Sequence, residues 1–491
     1  MGMVFKQTSW NIVTITVAIL IGGINTLYFY PEFLREQYYG LVVFLLATSN
    51  LLQPLMSFGA QHTIIKFFSS FKNIKEKDEF LSSIIFLPLF FILPVCLLVV
   101  QFHDLIAEFL SVKNPIIKSY VWVIFLVSFA TSYFEVFYAW SRVQFKSIFG
   151  NILKEIYPRI AVFILLFLVS IDILTKENFV WCLTGLYYIR LIIMIIYSLF
   201  LYTPKFSVKI PNNFKEILSY SIYILLAGSA ASFLIDIDKY MIPQKQAISQ
   251  TAYYAVAVFI ATVVEIPGRA MFQIINPLVA KALNEENFIE LKNLYSQSSE
   301  NLLIVCGLFF LLINLNIDSF YMLLNNQEYS NASLVVLIIS SAKLIQMSFG
   351  CGPAILATSK FYKITLPFSI AMAVSVYFLN DYLIDLYGIN GAAISTFIVL
   401  LIFTVLKIIY IRYKVKLQPF NFNSIKIFTS ILLIYFLNSY INLELSPLIE
   451  IIIRSIIILI TYALIIYFFG VSKKMKDLLL SLIHISEPTR L

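Results

Sequence analysis

The chain has 491 residues, of which 60% are hydrophobic and 13% charged, with a formal net charge of +8. Soluble domains are roughly half apolar and a quarter charged, so this composition excludes an ordinary water-soluble globule and points to a membrane. The positive balance requires no nucleic acid, because lysine and arginine gather in cytoplasmic loops and face anionic lipid.

Apolar runs of about 20 residues, each able to cross a roughly 30 Å hydrocarbon core as a helix, recur about 14 times. The first six cover 8–30, 39–60, 80–102, 116–138, 152–171 and 178–201. Six more cover 217–235, 251–273, 301–323, 333–357, 362–384 and 389–411, and two follow at 425–443 and 448–470. The first is flanked only by Lys6 and has no small-residue cleavage site, so it is expected to be a retained helix and not a signal peptide. Alternating ten-residue segments of the barrel type do not occur, and the expected fold is an all-α polytopic membrane protein.

Basic residues test this count. With the N-terminus inside, the inner segments hold 25 of the 35 lysines and arginines, whereas the outer loops hold Arg35, Lys113, Lys176, Lys239 and Lys245. A missed or invented span would scramble the alternation beyond it, and no scrambling occurs. Both termini are therefore expected in the cytoplasm. The longest outer connection is expected at about 236–250.

A repeat runs through the first twelve spans. Shifted by about 215 residues, YYGLVVFLLAT (38–48) falls on YYAVAVFIATV (253–263). Six spans per copy make the two copies parallel, a transporter arrangement. The expected divisions are a lobe at 1–204, a second at 205–418, helices 13 and 14 at 419–472 and a tail at 473–491. The closing HISEPTRL resembles a non-native scar, and Ile483 to Leu491 are excluded from function.

Much chemistry is absent. No G-x-x-x-x-G-K-[ST] loop cradles nucleotide phosphates, and no H-E-x-x-H or C-x-x-C pair is present to hold a metal. Cys96, Cys182, Cys306 and Cys351 fall inside spans, where a small buried hydrophobe is the expected role.

Five stretches carry a family resemblance: EQYYGLVVFLLATSNLLQPLMSFG; DIDKYMI and AYYAVAVFIATVVEIPGRAMFQIINPLVAK; and GCGPAILATSKFYK and YGINGAAIST. Over spans one to fourteen the chain resembles the Wzx-type flippases of the multidrug/oligosaccharidyl-lipid/polysaccharide exporter (MOP) superfamily, which move O-antigen and capsule units. The resemblance implies two six-helix lobes forming a V around a cavity, with two extra helices outside. It also implies an undecaprenyl-pyrophosphate-linked oligosaccharide as cargo and no bound nucleotide. A polysaccharide polymerase and a chain-length regulator are the protein partners expected beside the membrane lipids.

Charged residues inside spans are costly, roughly 2.5–3.5 kcal/mol at mid-helix on insertion scales, and therefore mark candidate sites. Arg190 has no acid between Asn178 and Pro204, and Lys343 none between Asn331 and Ser359. Both are expected to face a cavity that accepts phosphate, unless neighbouring helices supply acids such as Glu135 or Glu265. Glu265 and Arg269 have the spacing of a same-helix pair across the bend at Pro267, and are cavity candidates too. Asn25 and Thr26, after Gly22 and Gly23, are expected to line the outer half of the cavity. Asp236 and Asp238, where span seven is expected to emerge, are candidates for a coupling cation, H+ or Na+, or for a sugar hydroxyl. Glu450 and Arg454 are expected to snorkel. The breaks around Gly350, Gly352 and Pro353 are either hinges or static kinks.

Two other functions compete with the flippase. A multidrug antiporter would suit the two aspartates but should prefer an acidic cavity. A membrane polymerase or transferase would need a sizeable outer loop or an acidic constellation. The topology is directly testable. Single cysteines at Glu328, Asp385 and Glu444, in a background without the native four, are expected to react with an impermeant thiol reagent from outside, and cysteines at Lys75, Lys363 and Lys414 to stay protected. Equal reactivity of the two sets would refute the alternation.

Overall fold

A computed structural model describes residues 2–468, apart from 72, 206, 208, 210, 212, 325, 326 and 442–444. The side chains of 2–12, 231 and 327 are also outside the description. The described residues are helical and contain no strand. The tail from 469 onward, including the suspected scar, lies outside them.

In chain order the α-helices are α1 (Gly2–Ile24), α2 (Arg35–Ser57), α3 (Ala60–Phe67), α4 (Ile74–Gln101), α5 (His103–Ser111), α6 (Val121–Val143) and α7 (Ser147–Glu155). They continue with α8 (Tyr157–Ser170), α9 (Lys176–Leu201), α10 (Phe214–Lys245), α11 (Ser249–Thr262), α12 (Ile266–Asn284) and α13 (Phe288–Asn314). The last are α14 (Ile317–Leu323), α15 (Ser333–Ser348), α16 (Gly352–Thr358), α17 (Thr365–Tyr387), α18 (Ile389–Val415), α19 (Phe422–Ser439) and α20 (Pro447–Phe468).

Among the described residues, eleven helical runs are long and apolar enough to cross a membrane, or twelve if the bent α10 counts as one span. The chain is a multi-pass membrane protein. The difference from fourteen has two local causes. One run, Val13–Ser57, is 45 residues long and joins the first two expected spans. It folds over in the middle. Pro31 interrupts the ladder and the segment Asn25–Leu34 widens into a π-helix, after which Arg35 takes φ 56. The Tyr39 hydroxyl then reaches back to the Thr26 carbonyl at 3.5 Å, and the Tyr30 and Tyr39 rings stack at 4.6 Å. In one straight helix Thr26 and Tyr39 would be separated by roughly 20 Å. The other cause is the fifth span, which divides between α7 and α8 just before Pro158.

Span seven needs a larger correction. Helix α10 does not end near residue 235 but continues to Lys245, with a 46° bend between Phe214–Ala230 and Ser232–Lys245. The expected outer loop of 236–250 therefore shrinks to 246–248, and Asp236 and Asp238 lie within the helix.

By compactness the chain forms two units. The first contains Met1–Val256 with Leu366–Ser395, and the second Ala257–Thr365 with Thr396–Leu491. In the first, aromatic side chains fill the core, among them Phe80, Phe134, Tyr138 and Trp140. Glycines allow its helices to approach closely. A Cβ on Gly40 would lie 2.0 Å from the Ile248 carbonyl oxygen, so α2 meets the α10–α11 turn backbone to backbone. In the second unit, α13 is the spine. Ile427, Ile431, Ile434, Ile458, Tyr462 and Ile466 of α19 and α20 pack on it, and the Tyr462 hydroxyl donates to the Ile304 carbonyl at 2.8 Å. The break between α15 and α16 is pinned to the same helix. Ser299 donates to the Ser348 carbonyl at 2.6 Å, and the Cys351 N–H donates to Ser298 at 2.9 Å.

The cysteines divide in two. Cys306 and Cys351 are buried as expected, whereas Cys96 and Cys182 are on the surface, because each occupies a helix face that no neighbouring helix covers.

The Gly40 contact has a measurable consequence. Gly40→Ala forces backbone apart and is expected to cost about 1–3 kcal/mol, as overpacking does. A lower melting temperature of the purified protein would show it; an unchanged one would mean that the turn yields freely.

Candidate functional site

Arg190 lies fourteen residues into α9, among leucines and isoleucines, and is only 5% exposed. Two aromatic faces cover its guanidinium: Cζ is 4.3 Å from the Phe134 centroid and 4.7 Å from that of Tyr187, one turn earlier. Nη2 donates to the Thr131 hydroxyl at 3.3 Å, while Nε has no hydrogen-bond partner among the described residues. Desolvated cation–π contacts contribute about 2 kcal/mol each, which is the order of the insertion cost of the charge. The expectation of an open, cavity-facing arginine is therefore corrected: the aromatic rings enclose it in a crevice with Tyr157, Pro158 and Ala161.

The nearby acids are engaged elsewhere. Glu135 on α6 bonds Lys154 of α7 at 2.7 Å, and Glu155 pairs with Arg159 of α8 at 3.2 Å. Neither forms an ion pair with Arg190. Three cations thus share two carboxylates, leaving one positive charge in excess. The Arg159 side chain lies along α1, where a Cβ on Gly22 would approach its Nε to 2.9 Å. Asn25 is 2% exposed and donates to the Arg159 carbonyl at 2.7 Å. Thr26 offers its carbonyl to Tyr39, and its side chain is half-buried. Asn25 thus joins the π-helical segment to α8 and is turned inward, whereas Thr26 keeps part of its side chain exposed.

A second cation-rich cluster occupies the other unit. Glu265 closes a short 3-10 turn before α12, whose second residue is Pro267. Its two oxygens are divided between Lys343 of α15, at 2.9 Å, and Arg269. Lys343 is thus not unpaired as expected, since its acid comes from another helix. The pairing of Glu265 with Arg269 is as the spacing implied. Arg269 is 57% exposed at its side chain, and the cluster again carries one surplus positive charge.

Asp236 and Asp238 are buried inside α10, not hydrated at its end. Asp236 accepts from Lys239 at 2.8 Å and from Asn50 of α2 at 3.2 Å. Asp238 accepts from Asn380 of α17 at 2.7 Å and from the Tyr254 hydroxyl of α11. Sequence reading missed Asn50, Tyr254 and Asn380; the available signal was two asparagines inside apolar spans. At the end of α10, Lys245 pairs with Asp381 and Asp385 of α17 at 2.8 and 2.6 Å, so α17 is tied to α10 at two levels.

No group of three histidine, cysteine or acidic side chains suited to a metal occurs among the described residues. Arg454 does not snorkel freely. It bonds Glu450 at 2.5 Å and donates to the carbonyls of Leu315 and Ile441 at 2.7 and 2.8 Å.

A family model described as polysaccharide biosynthesis protein matches residues 4–283. No curated protein matches the sequence. Among solved structures, an inward closed lipid II flippase MurJ aligns with a TM-score of 0.68 at 15% identity, covering 96% of this chain and 99% of that one. An inward-facing multidrug resistance MATE family transporter of the MOP superfamily gives 0.60 at 12%, covering 81% and 94%. A mutant of the Vibrio cholerae MATE transporter VcmN gives 0.52 at 12%, covering 84% and 97%. These likenesses establish the fold as that of this transporter class.

The enclosure of Arg190 makes a prediction about stability. Arg190→Met fills the same crevice without a desolvated charge and is expected to be neutral or to stabilise by up to about 1–4 kcal/mol, as replacement of buried ionic groups often does. Arg190→Glu would lose both aromatic contacts in the field of two further acids, and is expected to lower membrane abundance severely. A large fall in melting temperature for Arg190→Met would show that the charge has a carboxylate partner after all.

Proposed function

We propose that this chain, which belongs to the polysaccharide biosynthesis protein family, is a flippase for a lipid-linked oligosaccharide. The cargo is an undecaprenyl-pyrophosphate-linked repeat unit of an O-antigen, capsule or exopolysaccharide. The observation that carries this reading is the positive balance of two charge clusters. Arg190, Lys154 and Arg159 outnumber Glu135 and Glu155, and Lys343 with Arg269 outnumbers Glu265. Each of these clusters favours an anion nearby, and pyrophosphate offers charges to arginine forks and lysine point charges alike. The likeness in fold to a lipid II flippase supports the same choice.

The head group crosses by alternating access while the polyprenyl tail stays in lipid, so the polar sugars never meet hydrocarbon. No organic cofactor is needed. The driving force is assigned to a proton or sodium ion at Asp238, with the Asn380 carboxamide and the Tyr254 hydroxyl completing its surroundings and Asp236 beside it. The setting is a bacterial cytoplasmic membrane with both termini inside, and a polymerase and chain-length regulator would act on the delivered unit.

A multidrug antiporter remains the second reading, on the strength of the two aspartates. Its cationic substrates would be opposed by both positive clusters, however. A polymerase or transferase is disfavoured further by the short 246–248 connection, which leaves no space there for a catalytic domain.

Depletion of the protein is expected to accumulate a lipid-linked glycan on the cytoplasmic leaflet, identifiable by mass spectrometry. Asp238→Asn is expected to keep membrane abundance within about twofold while removing the response of transport to the ion gradient. Depleted cells with an unchanged lipid-linked pool would overturn the reading.

A further inference from the structure

The charged residues of α6, α7 and α9 are graded in exposure. Arg190 is deeply buried, the Glu135 side chain is 18% exposed, Lys154 is 40% exposed and Arg142 lies at the surface. One tyrosine organises the outer members. The buried Tyr138 ring packs against α7, where a Cβ on Gly150 would come within 2.2 Å of it. Arg142 Cζ is 5.6 Å and Lys154 Nζ 5.9 Å from the centroid of that ring. His62, exposed at the start of α3, shares the field of Glu135, Arg142 and Lys154. Two flexible cations are thus held beside a fixed aromatic surface, at the end of the unit that the basic-residue pattern assigns to the cytoplasm.

The pairing behind this surface is unsaturated. Glu135 is bonded to Lys154, and one turn before it on α6 Thr131 accepts from the enclosed Arg190, whose Nε has no hydrogen-bond partner among the described residues. The carboxylate thus lies on the same helix face as the Arg190 contact and is bonded to the more exposed cation, Lys154.

We infer that Arg142 and Lys154 form the docking platform for the pyrophosphate of the cargo, and that an arriving phosphate draws Lys154 away from Glu135 and releases that carboxylate toward Arg190. The inference rests on the flippase reading and deepens it by naming where the head group first binds. Phosphate provides several strong acceptor oxygens against one carboxylate, so Lys154 exchanges partners without loss of charge pairing. Arg142 supplies the planar fork. The freed Glu135 then neutralises a charge already inside the membrane, so docking leaves no stranded carboxylate. Arg190 acts through Glu135 and is a positioning residue here. Ordinary cytoplasmic bias explains basic residues near a membrane, but it does not account for a lysine and an arginine gathered at one ring with the lysine bonded to an acid of a span.

The test uses full-length protein in nanodiscs of zwitterionic lipid, with farnesyl pyrophosphate, inorganic pyrophosphate and farnesol as separate probes. Farnesyl pyrophosphate is expected to bind the unmodified protein and to bind the Arg142→Gln/Lys154→Gln variant at least tenfold more weakly. Lys154→Arg is expected to stay within threefold, and Glu135→Gln, which removes the competing acid, to bind severalfold more tightly. Inorganic pyrophosphate bound nearly as well as the farnesyl probe would assign the affinity to phosphate alone, and tighter farnesyl binding to the lipid-linked head group; both support the platform. Farnesol bound as well as its pyrophosphate would overturn it, as would unchanged affinity in the double variant or weaker binding by Glu135→Gln. Arg142→Gln alone, altering an exposed side chain, keeps the test open if the double variant folds poorly: it too must weaken binding. Loss of pyrophosphate binding in these variants, together with an unchanged lipid-linked pool in depleted cells, would retain the platform and reject the flippase reading. Accumulation in depleted cells with full binding by the variants would do the reverse.

Discussion

Everything in this molecule follows from the absence of water in the hydrocarbon core. A backbone amide or carbonyl there has no solvent to bond, so each must be satisfied within the chain, and helices are the local solution. Where a helix is broken, another group takes up what the break releases. The clearest instance is the α15–α16 junction, where two adjacent serines of α13 serve the backbone of the interrupted segment. The same requirement governs the charges. Lys343 and Arg269 share one glutamate, Arg454 caps two helix ends, and Arg190 uses aromatic faces where no carboxylate is at hand.

The positions of the helices were legible because hydropathy is a local property and a span must be apolar along its length. Their ends were less so. DIDK looked like the close of span seven because three charged residues follow an apolar run there. The helix nevertheless continues, since Asn50, Tyr254, Asn380 and Lys239 satisfy the two aspartates, and three of these come from other helices. A single sequence cannot display such distant pairings. Lys343 and Glu265 illustrate the same limit, whereas Glu265 and Arg269, one turn apart, were readable from spacing.

Arg190 combines both situations. Its isolation along the helix was visible, and so was Tyr187 one turn before it. Phe134, the other face of the enclosure, comes from α6 and was not. The sequence therefore identified a charge needing explanation but not the kind of explanation, and an aromatic enclosure and a water-filled cavity leave the same local signature. What separates the functional classes is then the balance over each cluster, not the surroundings of one residue. A surplus cation in each of the Arg190 and Lys343 clusters suits a negatively charged cargo and opposes a positively charged drug.

The last two helices stand outside the sequence repeat, which suggests detachable accessories. Their attachment indicates otherwise. Ile431 sits where α13 has Gly307, the Tyr462 hydroxyl holds the Ile304 carbonyl, and Arg454 ties α20 to both Leu315 and Ile441. Helices α13, α19 and α20 consequently behave as one mechanical piece. A spectroscopic reporter on the lipid-facing side of α20, at Ile460 or Leu464 for example, would follow the motion of the second unit without touching any residue assigned to transport.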